Sequence, residues 1–420
     1  MKDSLENKLF RENKSNPNSS YFYKCSTCKK KWKPDFIEQN DHYLCPDCYS
    51  QNELGMPLKG VLQVFYDYEF LKSKYSKGFF ETINPGNIFL YPDLLPLKSG
   101  NDFSLFSSLQ LPSHSLHKIQ KIKDNQIFLL DETHNPTFSY KDRASVLVAA
   151  KAIELDKKTI CTASTGNAAT SLAGICARLG LKSKIFVPKS IPKEKLLQLQ
   201  IYGAGIIKVD GTYDDTFDLA IEKSQKNGWY NRNTAYNSLT IEGKKSGAFD
   251  IFMQMNYSAP DIVFVPSGDG VILAGIYKGF YDLLQLDLIK KIPQIIATQA
   301  EGSSAIVDFL NTGEFILKSS KTVADSISVD APRNLYLAAD CIQKSKGNGI
   351  KITDNEILKA EKYLGKNLGI FVEPSAAAAW AGFKKYINQN NVSNKKIVIL
   401  LTGCGLKDSK SAEKAVSLPI

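Results

Sequence analysis

From about residue 126 onward, short β-branched runs alternate with longer stretches of helical character, and no other feature of the chain restricts its fold as much. Gln126–Leu130, Thr159–Thr162, Lys184–Val187, Ile206–Val209, Asp261–Val265, Gln294–Thr298 and Ile397–Leu401 read as strands. Asp142–Leu155, Gly166–Leu179, Pro192–Tyr202, Asp214–Lys226, Ile241–Met255 and Val271–Leu284 read as the helices between them. Proline at a first helical position is pre-set for a helix start, which places one at Pro192. Alternation at this spacing predicts an α/β fold: two doubly wound halves, each a mainly parallel sheet with helices on both faces. In such folds ligands bind beyond the carboxyl ends of the strands, so the loops after strands are where chemistry is expected.

Composition allows a large core, since 43% of the 420 residues are hydrophobic and 23% are charged. Global disorder is thereby excluded. The apolar runs, such as Ile397–Leu401, fall far short of the about 20 residues that a membrane helix needs. The charged start, MKDSLENKLFRENKSN, lacks the apolar stretch of a secretory signal, so a cytoplasmic location without membrane contact is expected. The net charge of +10 is compatible with an anionic substrate or with nucleic acid, but the basic residues are spread over the whole chain. A lysine-rich solvated surface accounts for that pattern equally well.

Residues 1–20 are polar and read as a disordered leader. Residues 21–50 contain Cys25-x-x-Cys28 and Cys45-x-x-Cys48, while Cys161, Cys176, Cys341 and Cys404 are single. A CxxC turn places two thiolates on one side of a tight loop, and two such turns complete a tetrahedral zinc site. Four thiolates close the coordination shell, so the expected role of Zn is structural: it staples an element too small to bury a core of its own. Residues 51–106 are rich in aromatics and read as an extension packed on the main domain. The two α/β halves are then expected at 107–260 and 261–415.

Four loops after strands carry unusual residues. In His134–Arg143, Lys141 opens a helix, where the positive helix end disfavours a second cation and favours the neutral amine that a Schiff base requires. An ordinary surface lysine has the same signature. Thr162–Ala169 brings hydroxyls and free amides to a helix start, a place for a carboxylate or phosphate, or simply a Ser/Thr cap. Pro266–Val271 contains a Gly-x-Gly between strand and helix, which lets backbone amides approach a phosphate. Thr402–Asp408 holds a threonine hydroxyl on a glycine-rich turn. Glu373-Pro374-Ser375 reads as the start of an Ala-rich helix.

Taken in order, NPTFSYKDRAS, TASTGNAAT, PKEKLLQLQIYGA, NSLTIEGKKS, VPSGDG and LTGCGLKD resemble the fold type II pyridoxal-phosphate enzymes, and among them the threonine synthase-like proteins. The resemblance covers about residues 107–408, and the cysteine-rich start also recurs in some of these proteins. It implies pyridoxal 5'-phosphate in the cleft between the halves, with Lys141 as the Schiff-base lysine. Asn167 would contact the cofactor's 3-hydroxyl. Gly268, Asp269 and Gly270 form the turn that matches the cofactor-phosphate site, and Thr402 matches the partner of the pyridine nitrogen. Ser164 and Thr165 match the loop that holds the substrate's carboxylate. The implied reaction is that of a lyase, O-phosphohomoserine and water giving threonine and phosphate. The implied partner is a phosphorylated amino acid, not nucleic acid, and by analogy a second copy of the chain in a homodimer.

This chain departs from the pattern in several places. Relatives usually have asparagine at Asp269 and Gly-Asn at Val271–Ile272. They often have arginine near Thr240, for which nearby Arg232 is the candidate substitute as a substrate-phosphate contact. Ser113-His114-Ser115-Leu116 replaces Gly-x-Thr-Pro-Leu, and Cys404 stands where a histidine is usual. Replacement or elimination on O-phosphoserine and deamination of threonine or serine therefore stand beside the main reading. A reading of another class is a zinc-ribbon nucleic-acid-binding protein with a degenerate α/β part.

Overall fold

The computed structural model describes residues 21–98, 106, 109–189, 191, 193–211 and 213–418. The leader expected at 1–20 and the helix-opening Pro192 lie outside the described residues. In chain order the strands are β1 Tyr21–Cys25, β2 Lys31–Trp32, β3 Leu62–Tyr66, β4 Leu116–Lys118, β5 Gln126–Asp131, β6 Thr159–Ala163 and β7 Lys182–Pro188. They continue with β8 Gly205–Val209, β9 Tyr230–Asn231, β10 Ile262–Pro266, β11 Gln294–Ala300, β12 Asn348–Ile352 and β13 Lys396–Leu401. They form a six-stranded sheet in the order β12-β11-β10-β13-β5-β4, a four-stranded sheet β8-β7-β6-β9, and a small three-stranded sheet β2-β1-β3.

The six-stranded sheet is parallel except for its edge strand β4. The four-stranded sheet is parallel throughout. Strands buried on both faces must be apolar along their length, which is why IVFVP and KIVILL show no polar alternation. Period-2 geometry sends their neighbouring residues to opposite sides. Ile397, Ile399 and Leu401 enter one core together with the Ala-rich helix Pro374–Gln389. Val398 and Leu400 enter the other. No helix among the described residues is long and apolar enough to cross a membrane.

Two of the expected boundaries do not coincide with the sheets. β4 and β5, assigned by the sequence to a half spanning 107–260, belong to the larger sheet. β5 pairs with β13 over six positions, from Gln126↔Lys396 to Asp131↔Leu401. Its apolar run is satisfied there rather than among the strands that follow it in sequence. Likewise the cysteine-rich element does not end at residue 50, because β3 pairs antiparallel with β1 from Cys25↔Leu62 to Tyr21↔Tyr66. The stretch expected as one helix, Ile241–Met255, is two segments, Leu239–Lys244 and Ser246–Gln254, that meet at Lys245.

The cysteine-rich element docks on the rest of the chain through residues that flank its strands. Glu38 reaches Lys151 at 3.1 Å. Tyr43 stacks on Tyr236 at 4.9 Å, and its hydroxyl accepts from the Asn231 amide at 2.7 Å. The Met56 carbonyl accepts from Arg333 Nη1 at 2.7 Å, and the Leu58 amide donates to the Arg333 carbonyl at 3.0 Å. Aromatic residues of the following extension continue this docking. The Tyr66 hydroxyl donates to Glu242, the Tyr68 hydroxyl to Asp282, and Tyr91 stacks on Phe249 at 4.9 Å.

Candidate active site

Four of the loops at the carboxyl ends of strands converge, as a parallel fold requires. After β5 the chain turns through Phe138, at φ +66, with its amide bonded to the Asn135 carbonyl at 2.7 Å. Asn135 donates to Glu132 at 2.6 Å and to the Ser139 carbonyl at 3.0 Å. Asp142, in the first turn of helix Lys141–Glu154, accepts from the Thr137 amide at 2.7 Å and from its hydroxyl at 2.5 Å. A carboxylate there favours the helix start, so the position of Lys141 is fixed from both sides.

The loop is also stitched to the turn after β13. The Tyr140 amide donates to the Thr402 carbonyl at 2.9 Å, and the Cys404 amide to the Phe138 carbonyl at 3.1 Å. Lys141 and Thr402 are therefore held in a fixed relation by backbone bonds. Burial holds the Lys141 amine below its ordinary pKa, and the Arg232 charge pushes it the same way. Asp269 and Glu373 oppose this. Lys141 is thus not the surface lysine that its sequence position alone would also suit.

Lys141, Asn167, Gly268, Asp269, Gly270 and Thr402 all line one cavity of about 510 Å³. The turn Ser267–Gly270 is packed from behind: a Cβ at Gly268 would come within 2.9 Å of Ile327 Cα, and Gly270 sits at φ +80 with Ala338 directly behind it. No side chain caps the helix Val271–Gln285 that follows, so its first amides remain available to an anion on the cavity side. Asp269 does not aim its charge only at that anion, because its carboxylate accepts from the Arg333 amide at 3.0 Å.

A second cavity of about 410 Å³ is lined by Thr165, Gly166, Thr170 and Lys407, and shares Asn167, Ser326, Glu373 and Ser375 with the first. The remaining two candidates are not brought to either lining. The Ser164 hydroxyl accepts from the Gly166 amide at 3.2 Å within its own loop. Arg232 is fully buried, with Nε 3.4 Å from the Ser145 hydroxyl, and its charge acts on Lys141.

Sequence reasoning missed Glu373. It is the residue before the Ala-rich helix, and it lines both cavities. Asn167 Nδ2 lies 2.9 and 3.0 Å from its two oxygens and 3.1 Å from the Ser326 hydroxyl. Burial raises the Glu373 pKa, against the pull of Asn167, Lys407, Ser326 and Lys141. Lys407 was also missed; it donates to the Thr137 carbonyl at 2.8 Å and to the Thr170 hydroxyl at 3.1 Å. The only signal for either was the loop each occupies.

In the N-terminal element the four cysteines gather. Cys25 and Cys48 Sγ are 3.8 Å apart and Cys28 and Cys45 Sγ 3.7 Å, with all four sulfurs within 4.8 Å of one another.

Comparison with known proteins decides the class. The model of a family described as pyridoxal-phosphate dependent enzyme matches residues 109–403. The chain belongs to that family. Among curated members it is similar to a threonine synthase of Methanocaldococcus jannaschii, with 34% identity over 86% of this chain and 90% of that one. A threonine synthase of Methanosarcina acetivorans is 30% identical over 93% of both chains. This places the protein among the threonine synthase-like members of the pyridoxal-phosphate family. The fold agrees with solved structures at lower identity. A fungal L-serine ammonia-lyase from Rhizomucor miehei superposes with a TM-score of 0.63 at 19% identity, covering 73% of this chain and 98% of that one. A processed threonine deaminase isoform 2 from Solanum lycopersicum gives 0.61 at 21%, covering 72% and 89%.

Proposed function

We propose that this protein is a pyridoxal-phosphate-dependent threonine synthase that converts O-phosphohomoserine and water to threonine and phosphate. The observation that carries the reading is the convergence of Lys141, Asn167, Gly268, Asp269, Gly270 and Thr402 on one cavity, in a chain whose curated relatives bear that name. These residues fit the cofactor. The uncapped helix start and the bare glycine turn suit its phosphate, Thr402 suits the ring nitrogen, and Asn167 suits the ring hydroxyl. When bound, the cofactor delocalises the negative charge left on removal of an α-proton.

The chain's own residues do the rest. Lys141 Nζ, with its lowered pKa, is the group that takes and returns protons at the substrate's carbons. Glu373 keeps the Asn167 amide oriented towards the cavity. Thr165 and the amides at the start of helix Asn167–Arg178 bind the substrate carboxylate, and Lys407 adds a positive charge to the second cavity. A neutral hydroxyl at the ring nitrogen, rather than a carboxylate, favours elimination and replacement over transamination.

The purified protein is expected to show a visible band that borohydride abolishes, with the label recovered on the peptide containing Lys141. Turnover should then be fastest with O-phosphohomoserine, followed as phosphate release, ahead of O-phosphoserine by the same readout and of threonine and serine followed as ammonia release. Absence of the band after adding pyridoxal phosphate would sink the reading. Faster turnover of threonine than of any phosphorylated substrate would favour deamination instead.

The pH dependence has a definite sign. The amine must be neutral to capture the cofactor, and the pKa of Lys141 lies below the ordinary lysine value. Capture should therefore rise with pH and level off before pH 10.5, the point at which free lysine is half neutral. Stopped-flow growth of the visible band, compared with a lysine model compound, checks this; coincident profiles would refute it.

The cysteine cluster suits structural zinc. A tetrahedron with metal–sulfur bonds of about 2.3 Å has edges of about 3.8 Å, and the paired sulfurs stand at 3.7 and 3.8 Å. Gly60 closes the cluster from one side: at φ +77, its Cβ would lie 2.8 Å from that of Cys48. We expect one equivalent of zinc per chain. We also expect Gly60→Ala to lower the zinc content together with the melting temperature. Full zinc content in that variant would contradict the assignment.

A further inference from the structure

Among the described residues four lysines besides the site lysine are buried, and the fold pairs three of them. Lys151 meets Glu38 at 3.1 Å and Glu154. Lys278 meets Asp282 and lies 3.6 Å from Glu242. Lys245 meets Glu242 at 2.6 Å, Asp282 at 2.8 Å and the Tyr66 hydroxyl at 3.0 Å. Lys244, its neighbour in sequence, is equally inaccessible, yet its Nζ has no hydrogen-bond partner among the described residues. Burying an ammonium without a counter-charge costs several kcal/mol, so a chain that pairs the other three leaves this one open only where something else completes it.

Its position says where. Lys244 is wedged between the Lys141 loop and the helix that follows the glycine turn. Its carbonyl accepts from the Tyr140 hydroxyl at 2.7 Å. Its Cβ stands 2.6 Å from where a Cβ on Gly275 would be, so only glycine fits there. Gly275 is four residues into that helix, about 6 Å along the axis from Val271, a distance that a lysine's four-carbon stem can span. The charged groups that act on Lys244 are Lys141, Arg232 and Asp269, all tied to the candidate site.

We propose that Lys244 is a phosphate ligand: its ammonium pairs with a phosphate monoester held in the cleft at the start of helix Val271–Gln285. The proposal rests on the function proposed above, which supplies two such groups, the phosphate of the cofactor and that of the substrate. Burial and the two neighbouring cations hold the amine far below its ordinary pKa, and an arriving dianion reverses that balance.

The test titrates the cofactor-free protein with pyridoxal phosphate and, separately, with pyridoxal, for the wild type, Lys244→Met and Lys244→Arg. A charge-assisted hydrogen bond of ordinary strength predicts that Lys244→Met weakens pyridoxal phosphate binding by about 10- to 100-fold and leaves pyridoxal unchanged. Lys244→Arg should recover part of the loss. Loss of an unpartnered buried amine should leave cofactor-free Lys244→Met at least as resistant to denaturant as the wild type. If pyridoxal phosphate binding is unchanged, while the KM for O-phosphohomoserine rises and inhibition by inorganic phosphate weakens, the phosphate is the substrate's. If both are unchanged, or if pyridoxal binding and folding fall together with pyridoxal phosphate binding, the proposal is overturned. A wild type that binds no pyridoxal phosphate would instead overturn the function on which the proposal rests.

Discussion

Replacing Lys141 with alanine is expected to lower turnover by about 1000-fold or more and to eliminate the borohydride-fixed label. The neighbouring groups offer no replacement. Lys407, whose charge acts on Lys141, is engaged with Thr137 and Thr170, and Lys244 is buried behind the Lys141 loop. The glycine turn, Asn167 and Thr402 are left untouched by the substitution, so the variant should still bind pyridoxal phosphate non-covalently. Binding without labelling, measured by fluorescence and peptide mapping, separates loss of the amine from loss of the site. Residual turnover near that of the wild type, or a label that moves to Lys244, would show that the wrong lysine had been assigned.

The second large effect concerns stability. Arg143 is fully buried and meets Glu132 through Nε at 2.9 Å and Nη2 at 2.6 Å. Its Nη1 lies 2.7 Å from Asp250 and 2.9 Å from the Ser246 hydroxyl. Asp250 in turn accepts from the Gly86 amide at 2.9 Å, so the cluster joins the site helix to the N-terminal extension. Arg143→Met would strand two buried carboxylates, a loss of about 3–5 kcal/mol. Asp250 already has a raised pKa through burial, restrained by Arg143. A buried carboxyl with a raised pKa keeps its proton to higher pH in the folded state than in the unfolded chain, so its contribution is present at acid pH and is lost as pH rises. The deficit in the denaturant midpoint of Arg143→Met should thus be smallest near pH 4 and grow towards neutrality. An unchanged midpoint at pH 7 would show that the cluster contributes little.

What the sequence reveals and conceals follows from the range of each interaction. The strand–helix alternation and the loops holding Lys141, Asn167, Gly268 and Thr402 are local, and each can be read within about ten residues. Glu373 cannot. Its neighbour Pro374 makes it look like any helix start, and its partner Asn167 lies 206 residues away. Lys244 is concealed for the same reason, because only the fold distinguishes it from Lys245. The helix Pro374–Gln389 is apolar on most of its surface, so its periodicity is faint and only its alanine content marks it. β4 and β5 carry no mark of the sheet they join, since a strand's partner is set by what the rest of the chain leaves open.

The small cysteine-rich sheet has a consequence for the order of events during synthesis. It leaves the ribosome early, but its docking partners come late: Met56 and Arg333 are 277 residues apart. At the usual pace of about 5–20 residues per second, about 14 to 55 s separate the two. Throughout that interval Leu58, buried in the finished protein, lacks its backbone partner at Arg333, and Tyr43 waits for Tyr236 for much of it. A cluster of four thiolates that locks locally, without waiting for residue 333, gives the nascent segment a shape of its own during that time.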